Sequence, residues 1–127
     1  MPKRLQGKTA KAIGTELIVP KAKLPFRMVF EVKLENGYEL KDMTQKHTLE
    51  FHRFLNDTVY KGLTISEVDK LYLRKEGLSN APVILSNGKE LIHYGKDRKP
   101  FRIFGYYNAD GYFVICRIDG AHQTHEQ

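Results

Sequence analysis

The chain has 127 residues, 41 % of them apolar and 28 % charged, with a net charge of +6 and a single cysteine, Cys116. That is enough chain for one domain with a modest core, and too apolar a chain for intrinsic disorder. No apolar run approaches the roughly 18 residues of a membrane span, no apolar signal segment stands at the N-terminus, and one cysteine excludes an internal disulfide or a multi-cysteine zinc site. The expectation is a cytoplasmic protein of a reducing compartment with no membrane contact.

The charge is unevenly placed. Residues 1–24 hold Lys3, Arg4, Lys8, Lys11, Lys21 and Lys23 against Glu16 alone, a net of +5, which leaves +1 for residues 25–127. Residues 1–24 therefore read as a basic, loosely ordered extension and residues 25–127 as a single domain. A basic tail suits a polyanion such as nucleic acid, or an acidic protein. Gly7-Lys8-Thr9 lacks the upstream glycine and strand of a phosphate loop.

Alternation of Phe26, Met28, Phe30 and Val32 with mostly polar neighbours predicts a strand over residues 26–34, closed by the Asn36-Gly37 turn. Met43, His47, Phe51, Phe54, Leu55 and Thr58 recur at helical steps, predicting a helix over residues 42–61 that Gly62 ends. Thr64-Ile65-Ser66-Glu67 is a capping box. It opens a second helix with Ile65, Val68, Leu71 and Tyr72 buried and Gly77 as its stop.

Residues 83–85 and 90–94 flank Ser86-Asn87-Gly88 as a hairpin, and Lys96 to Pro100 form a polar connection. Strands over residues 101–107 and 112–119 flank the turn Asn108-Ala109-Asp110-Gly111. The expected fold is α+β: two helices on one face of a mainly antiparallel sheet, in the order β-α-α-β-β-β, with the other face available for a ligand.

Residues of catalytic type gather in the last third. Cleavage of RNA needs a base for the ribose 2′-OH, a cation for the phosphorane and an acid for the leaving 5′-oxygen. His93, Arg102, Tyr106, Arg117, Asp119 and His122 have the right chemistry, and antiparallel strands can bring them to one end of the sheet. Asp119, His122 and His125 form an alternative metal-ligand cluster. In the first helix, His47 falls in the apolar stripe as a packing residue, and Glu50 and His52 complete no zinc motif with it. Cys116, between Ile115 and Ile118, reads as a buried structural thiol.

Phe101-Arg102-Ile103-Phe104-Gly105-Tyr106-Tyr107, followed by a hairpin, an apolar last strand and His122, resembles the RelE-type toxins of bacterial toxin–antitoxin pairs. That resemblance implies a bacterial or phage endoribonuclease that cleaves ribosome-bound mRNA without metal or other cofactor and is neutralised by an antitoxin protein. By position, Arg102 matches the strand arginine on the scissile phosphate, and His122 the C-terminal acid or base. His93 matches a second base and Arg117 a second phosphate ligand, while Tyr106 and Asp119 line the substrate. The nearly neutral body and the basic extension depart from the family pattern. The alternative is a non-catalytic protein- or nucleic-acid-binding module of the same fold.

Overall fold

A computed structural model describes residues 20–74, 83–84, 88, 90–96 and 98–120. The chain forms β1 (Met28–Val29), α1 (Gln45–Asp57), α2 (Ile65–Tyr72), β2 (Leu73–Arg74), β3 (Val83–Ile84), β4 (Glu90–Tyr94), β5 (Arg102–Tyr107) and β6 (Phe113–Asp119). Short 3-10 turns lie at Lys21–Lys23, Leu40–Asp42 and Val59–Lys61. The sheet runs β1-β6-β5-β4-β2, and β3 pairs with β4 beyond the reach of β2. All pairings are antiparallel except β1 with β6. The fold is α+β and broadly follows the expected order β-α-α-β-β-β, but five strands rather than three follow the helices, the two-residue β2 and β3 being added to β4–β6.

Both helices begin where a threonine satisfies an otherwise unpaired backbone N–H. Thr44 Oγ1 accepts from the His47 amide at 3.2 Å, and Thr64 Oγ1 accepts from the Glu67 amide at 3.2 Å while Glu67 returns the bond to Thr64. The first helix is thus shorter than residues 42–61. It starts after Thr44 and ends at Asp57, because Thr58 leaves helical geometry and turns its hydroxyl onto the Phe54 carbonyl at 2.8 Å. Gly62, at φ +69°, closes the following 3-10 turn in a left-handed conformation that suits glycine. In α2, Leu71 is 53 % exposed rather than buried; Tyr72, four residues after Val68, fills the inner stripe and packs edge-on against Phe54. Gly77 lies outside the described residues, as do Ser86 and Asn87.

The core lies between the helices and one face of the sheet. Phe54, Ile65 and Val68 meet Tyr94, Ile103, Phe113, Ile115 and Ile118, with Phe26 at the centre. Phe26 touches the rings of Phe54, Tyr94 and Phe113 at centroid distances of 5.5 to 6.2 Å. Tyr94 donates its hydroxyl to Asp69 of α2 and lies 2.6 Å from the Tyr107 hydroxyl, so the sheet is pinned to α2 by a polar contact inside an apolar layer. Burial pushes both phenols above their ordinary values, so both stay protonated.

The strand expected over residues 26–34 is the main difference. Only Met28 and Val29 pair, in parallel, with Phe113 and Val114. The next backbone bond to β6 runs from the Glu35 amide to the Cys116 carbonyl at 3.0 Å. Residues 30–34 therefore stand opposite Ile115 alone and loop out of the ladder, which leaves Phe30 and Val32 52 % and 39 % exposed. A bulge at Phe104/Gly105 brings Gly105 opposite Ile115 while Phe104 stays opposite Arg117, so both Cys116 and Arg117 face away from the helices.

Candidate functional site

His93, Arg102, Tyr106, Arg117 and Asp119 share the sheet face away from the helices, spread along three strands. His93 pairs with Phe104, Phe104 with Arg117, and Arg102 with Asp119 in the register. This face is filled rather than available. Leu91, Phe104, Val114 and Cys116 form a second apolar cluster there, flanked by Val29 and Tyr106. His93, Arg102 and Asp119 are 7 %, 5 % and 1 % exposed. His122 and His125 lie outside the described residues, so of the alternative metal cluster only Asp119 is described.

The side chains on this face are engaged in holding the fold. The His93 ring stacks on Phe104 at 4.6 Å. One Arg102 nitrogen donates to the carbonyls of Phe101 at 2.9 Å and Lys96 at 3.3 Å, and also to that of Lys99, so the guanidinium clamps the β4–β5 connection. Gly95 permits this path: a Cβ there would lie 2.5 Å from Arg102 Cδ. Arg117 donates from Nε to Glu35 Oε1 at 2.6 Å and pairs with it again through a terminal nitrogen, its charge lying over the rings of Tyr38 and Phe104 at 4.7 and 5.5 Å. Burial raises the Tyr106 phenol, which stays protonated.

Glu35→Ala should cost about 2 kcal/mol in urea denaturation, because it strips a mostly buried guanidinium of its carboxylate. An unchanged midpoint would show that the pair holds nothing. Burial also pushes the Cys116 thiol up to about 11. Folded protein at pH 8 should resist iodoacetamide and react only in denaturant. The raised value favours the protonated thiol in the folded state, so this contribution to stability is whole below the ordinary thiol value and is lost as pH climbs towards about 11. Prompt alkylation of the native protein would contradict the burial.

The open concavity lies elsewhere, at the end of the sheet. A groove of about 430 Å³ is lined by Lys46, His47 and Glu50 of α1, by Arg98 to Phe101 of the β4–β5 connection, and by Gly120 after β6. A smaller hollow of about 70 Å³ shares His47 and Gly120 and reaches Asp42 and Asp119. Spacing explains the α1 wall: Lys46 and Glu50 are one turn apart, with His47 between them on the same side. The opposite wall is held by Arg102 and by Lys96, whose ammonium meets Asp57 of α1 at 2.8 Å and holds that carboxyl below the usual carboxylate range. Gly120 lets the end of β6 reach the groove, since a Cβ there would run into the His47 ring.

Among the described residues, three cations, Lys46, Arg98 and Lys99, thus share the groove with one carboxylate, Glu50, which also pairs with Arg53 at 3.5 Å. The Thr44 amide donates to His47 Nδ1 at 3.4 Å, a long bond. Arg98 is the one non-glycine residue at positive φ among those described, at +67°. Side-chain-bearing residues other than Asn and Asp rarely sit there, and such outliers gather at functional sites.

Sequence reasoning missed this set. It treated His47 as a packing residue and residues 96–100 as a polar connection, because the two come together only through tertiary structure. The legible signal was the basic run Arg98-Lys99 together with Lys46-His47 at the start of a helix. His52 stays apart, with its Nε2 at 3.3 Å from Asn56. No family model, curated protein or solved structure matches the chain.

Proposed function

We propose that this domain binds RNA, holding backbone phosphates in the groove between α1 and the β4–β5 connection. The observation that carries the reading is the convergence of Lys46, Arg98 and Lys99 on one concavity against one carboxylate, Glu50, among its described lining residues. Clustered cations focus the field on a phosphate chain, and arginine grips phosphate in a two-pronged manner. The basic extension, +5 over residues 1–24, adds to the attraction. The burial of His93 and Arg102 favours binding over chemistry on the sheet face.

A second reading, an endoribonuclease acting on ribosome-bound mRNA and silenced by an antitoxin as the RelE-type resemblance implies, is favoured by His47 and Glu50 lining the groove together, in place of the His93, Arg102 and His122 that the resemblance assigns. In that reading Glu50 takes the 2′-OH proton and the 2′-oxygen attacks phosphorus. The bond to the 5′-oxygen breaks as His47 protonates it from Nε2, the ring nitrogen that Thr44 does not bond, leaving a 2′,3′-cyclic phosphate. Arg98 and Lys99 balance the phosphorane charge. No metal takes part.

The test uses a labelled RNA oligonucleotide and its DNA counterpart in EDTA, followed by anisotropy and by gel. Salt-dependent binding supports the first reading, and its absence at low salt overturns both. Binding with cyclic-phosphate products that His47→Gln abolishes supports the second. Binding without products removes the second and leaves the first.

A further inference from the structure

Between β1 and Glu35 the chain leaves the ladder. Residues 30–34, Phe30-Glu31-Val32-Lys33-Leu34, alternate apolar and charged residues as a strand does. They follow β1, which ends the sheet, and no strand pairing among the described residues covers them. Phe30 and Val32 are exposed, while Leu34 packs against the core. Unpaired backbone with this alternation is a template for another strand.

The order of charges says which strand fits. Laid antiparallel against itself about Val32, the segment sets Glu31 opposite Lys33 of the second copy and Lys33 opposite its Glu31. Val32 then faces Val32, and Phe30 faces Leu34. Both charged pairs are of opposite sign and all apolar residues share one face, as strands that pair favourably require. A parallel alignment in register would set like charges side by side. We propose that residues 30–34 form a two-fold antiparallel β interface between two copies of this chain. The interface is isologous, so it closes at a dimer and does not propagate. On pairing, the segment straightens from the bend it makes at Val32, and Phe30 and Val32 become covered. Five residues a side is a small interface, so the dimer is weak and concentration-dependent.

Analytical ultracentrifugation of the full chain from about 1 µM to 1 mM spans the range in which weak complexes dissociate. The wild type should move from monomer to dimer across the series. Glu31→Lys and Lys33→Glu each create two like-charged pairs and should stay monomeric. Mixed in equal amounts they should dimerise again, because every Lys of one then faces a Glu of the other. Glu31→Lys also loses the Asn108 amide bond to Glu31 at 2.8 Å. Lys33 makes no ion pair among the described residues, so Lys33→Glu carries the test if the first variant fails to fold by circular dichroism. A wild type that is monomeric throughout overturns the proposal. So does a dimer that survives Lys33→Glu, or two folded variants whose mixture stays monomeric, a result that would assign the edge to a different protein strand.

Discussion

Phe26→Ala should lower the stability of the domain by about 3–5 kcal/mol, while Phe30→Ala should change it by less than about 0.5 kcal/mol. The two phenylalanines are four residues apart, and by alternation they share a face. Their environments differ completely. Phe26 is fully buried, and its ring meets three others, on α1, β4 and β6. Its amide also donates to the Leu63 carbonyl at 2.8 Å, which ties the segment to the start of α2. Truncation leaves a cavity between two layers, both fixed by regular secondary structure, that cannot collapse easily. Phe30 is half exposed in the residues that leave the ladder, and its removal uncovers little. Urea denaturation at protein concentrations where the chain is monomeric measures both. Equal losses would mean that residues 26–34 are a continuous, one-sided strand after all.

That pair shows where sequence patterns stop being informative. Alternation reports that a segment can be a strand with one apolar face; it does not report whether a partner is present. Residues 28–29 find β6 and residues 30–34 do not, because Glu35 takes the Cys116 carbonyl and the intervening chain is longer than the gap. Local signals fared better. Gly62 and Thr64 act on atoms within four residues of themselves, and each sits at a turn or a cap as its chemistry demands, whereas Thr44, which the pattern put inside the helix, turns out to cap it. The hairpins of β3 with β4 and β5 with β6 are likewise set by short connections.

The site was legible in part. That His93, Arg102, Tyr106, Arg117 and Asp119 share a sheet face follows from strand periodicity together with the bulge at Phe104/Gly105. That the face is closed does not follow, since it depends on the second apolar cluster and on Glu35 arriving from another part of the chain. Arg102 illustrates the limit. Its residue type fits a phosphate ligand, yet its guanidinium is aimed at the carbonyls of the connection that carries Arg98 and Lys99. It positions the groove wall.

Arg98→Gly should weaken RNA binding while changing the stability of the domain by no more than about 1 kcal/mol. The two effects have separate causes. At φ +67° an arginine carries a steric cost of roughly 1–2 kcal/mol that glycine does not, offset in part by the greater freedom of glycine in the unfolded chain. The same substitution removes one of three cations lining the groove. Losing one phosphate contact should reduce the slope of log affinity against log salt by about 0.7 for a single strand. Adding Lys46→Ala and Lys99→Ala should reduce it by about 2 in all and lower affinity at low salt on the order of 100-fold, at about 1 kcal/mol per contact. A residue retained for structure would give the reverse, lower stability with unchanged affinity. If Arg98→Gly melts lower than the wild type and binds RNA equally well, the strained arginine belongs to the loop and the groove is not the RNA site. If stability holds while both affinity and salt slope fall, the strain is retained for the charge it presents, as expected where binding and stability make opposing demands on one residue.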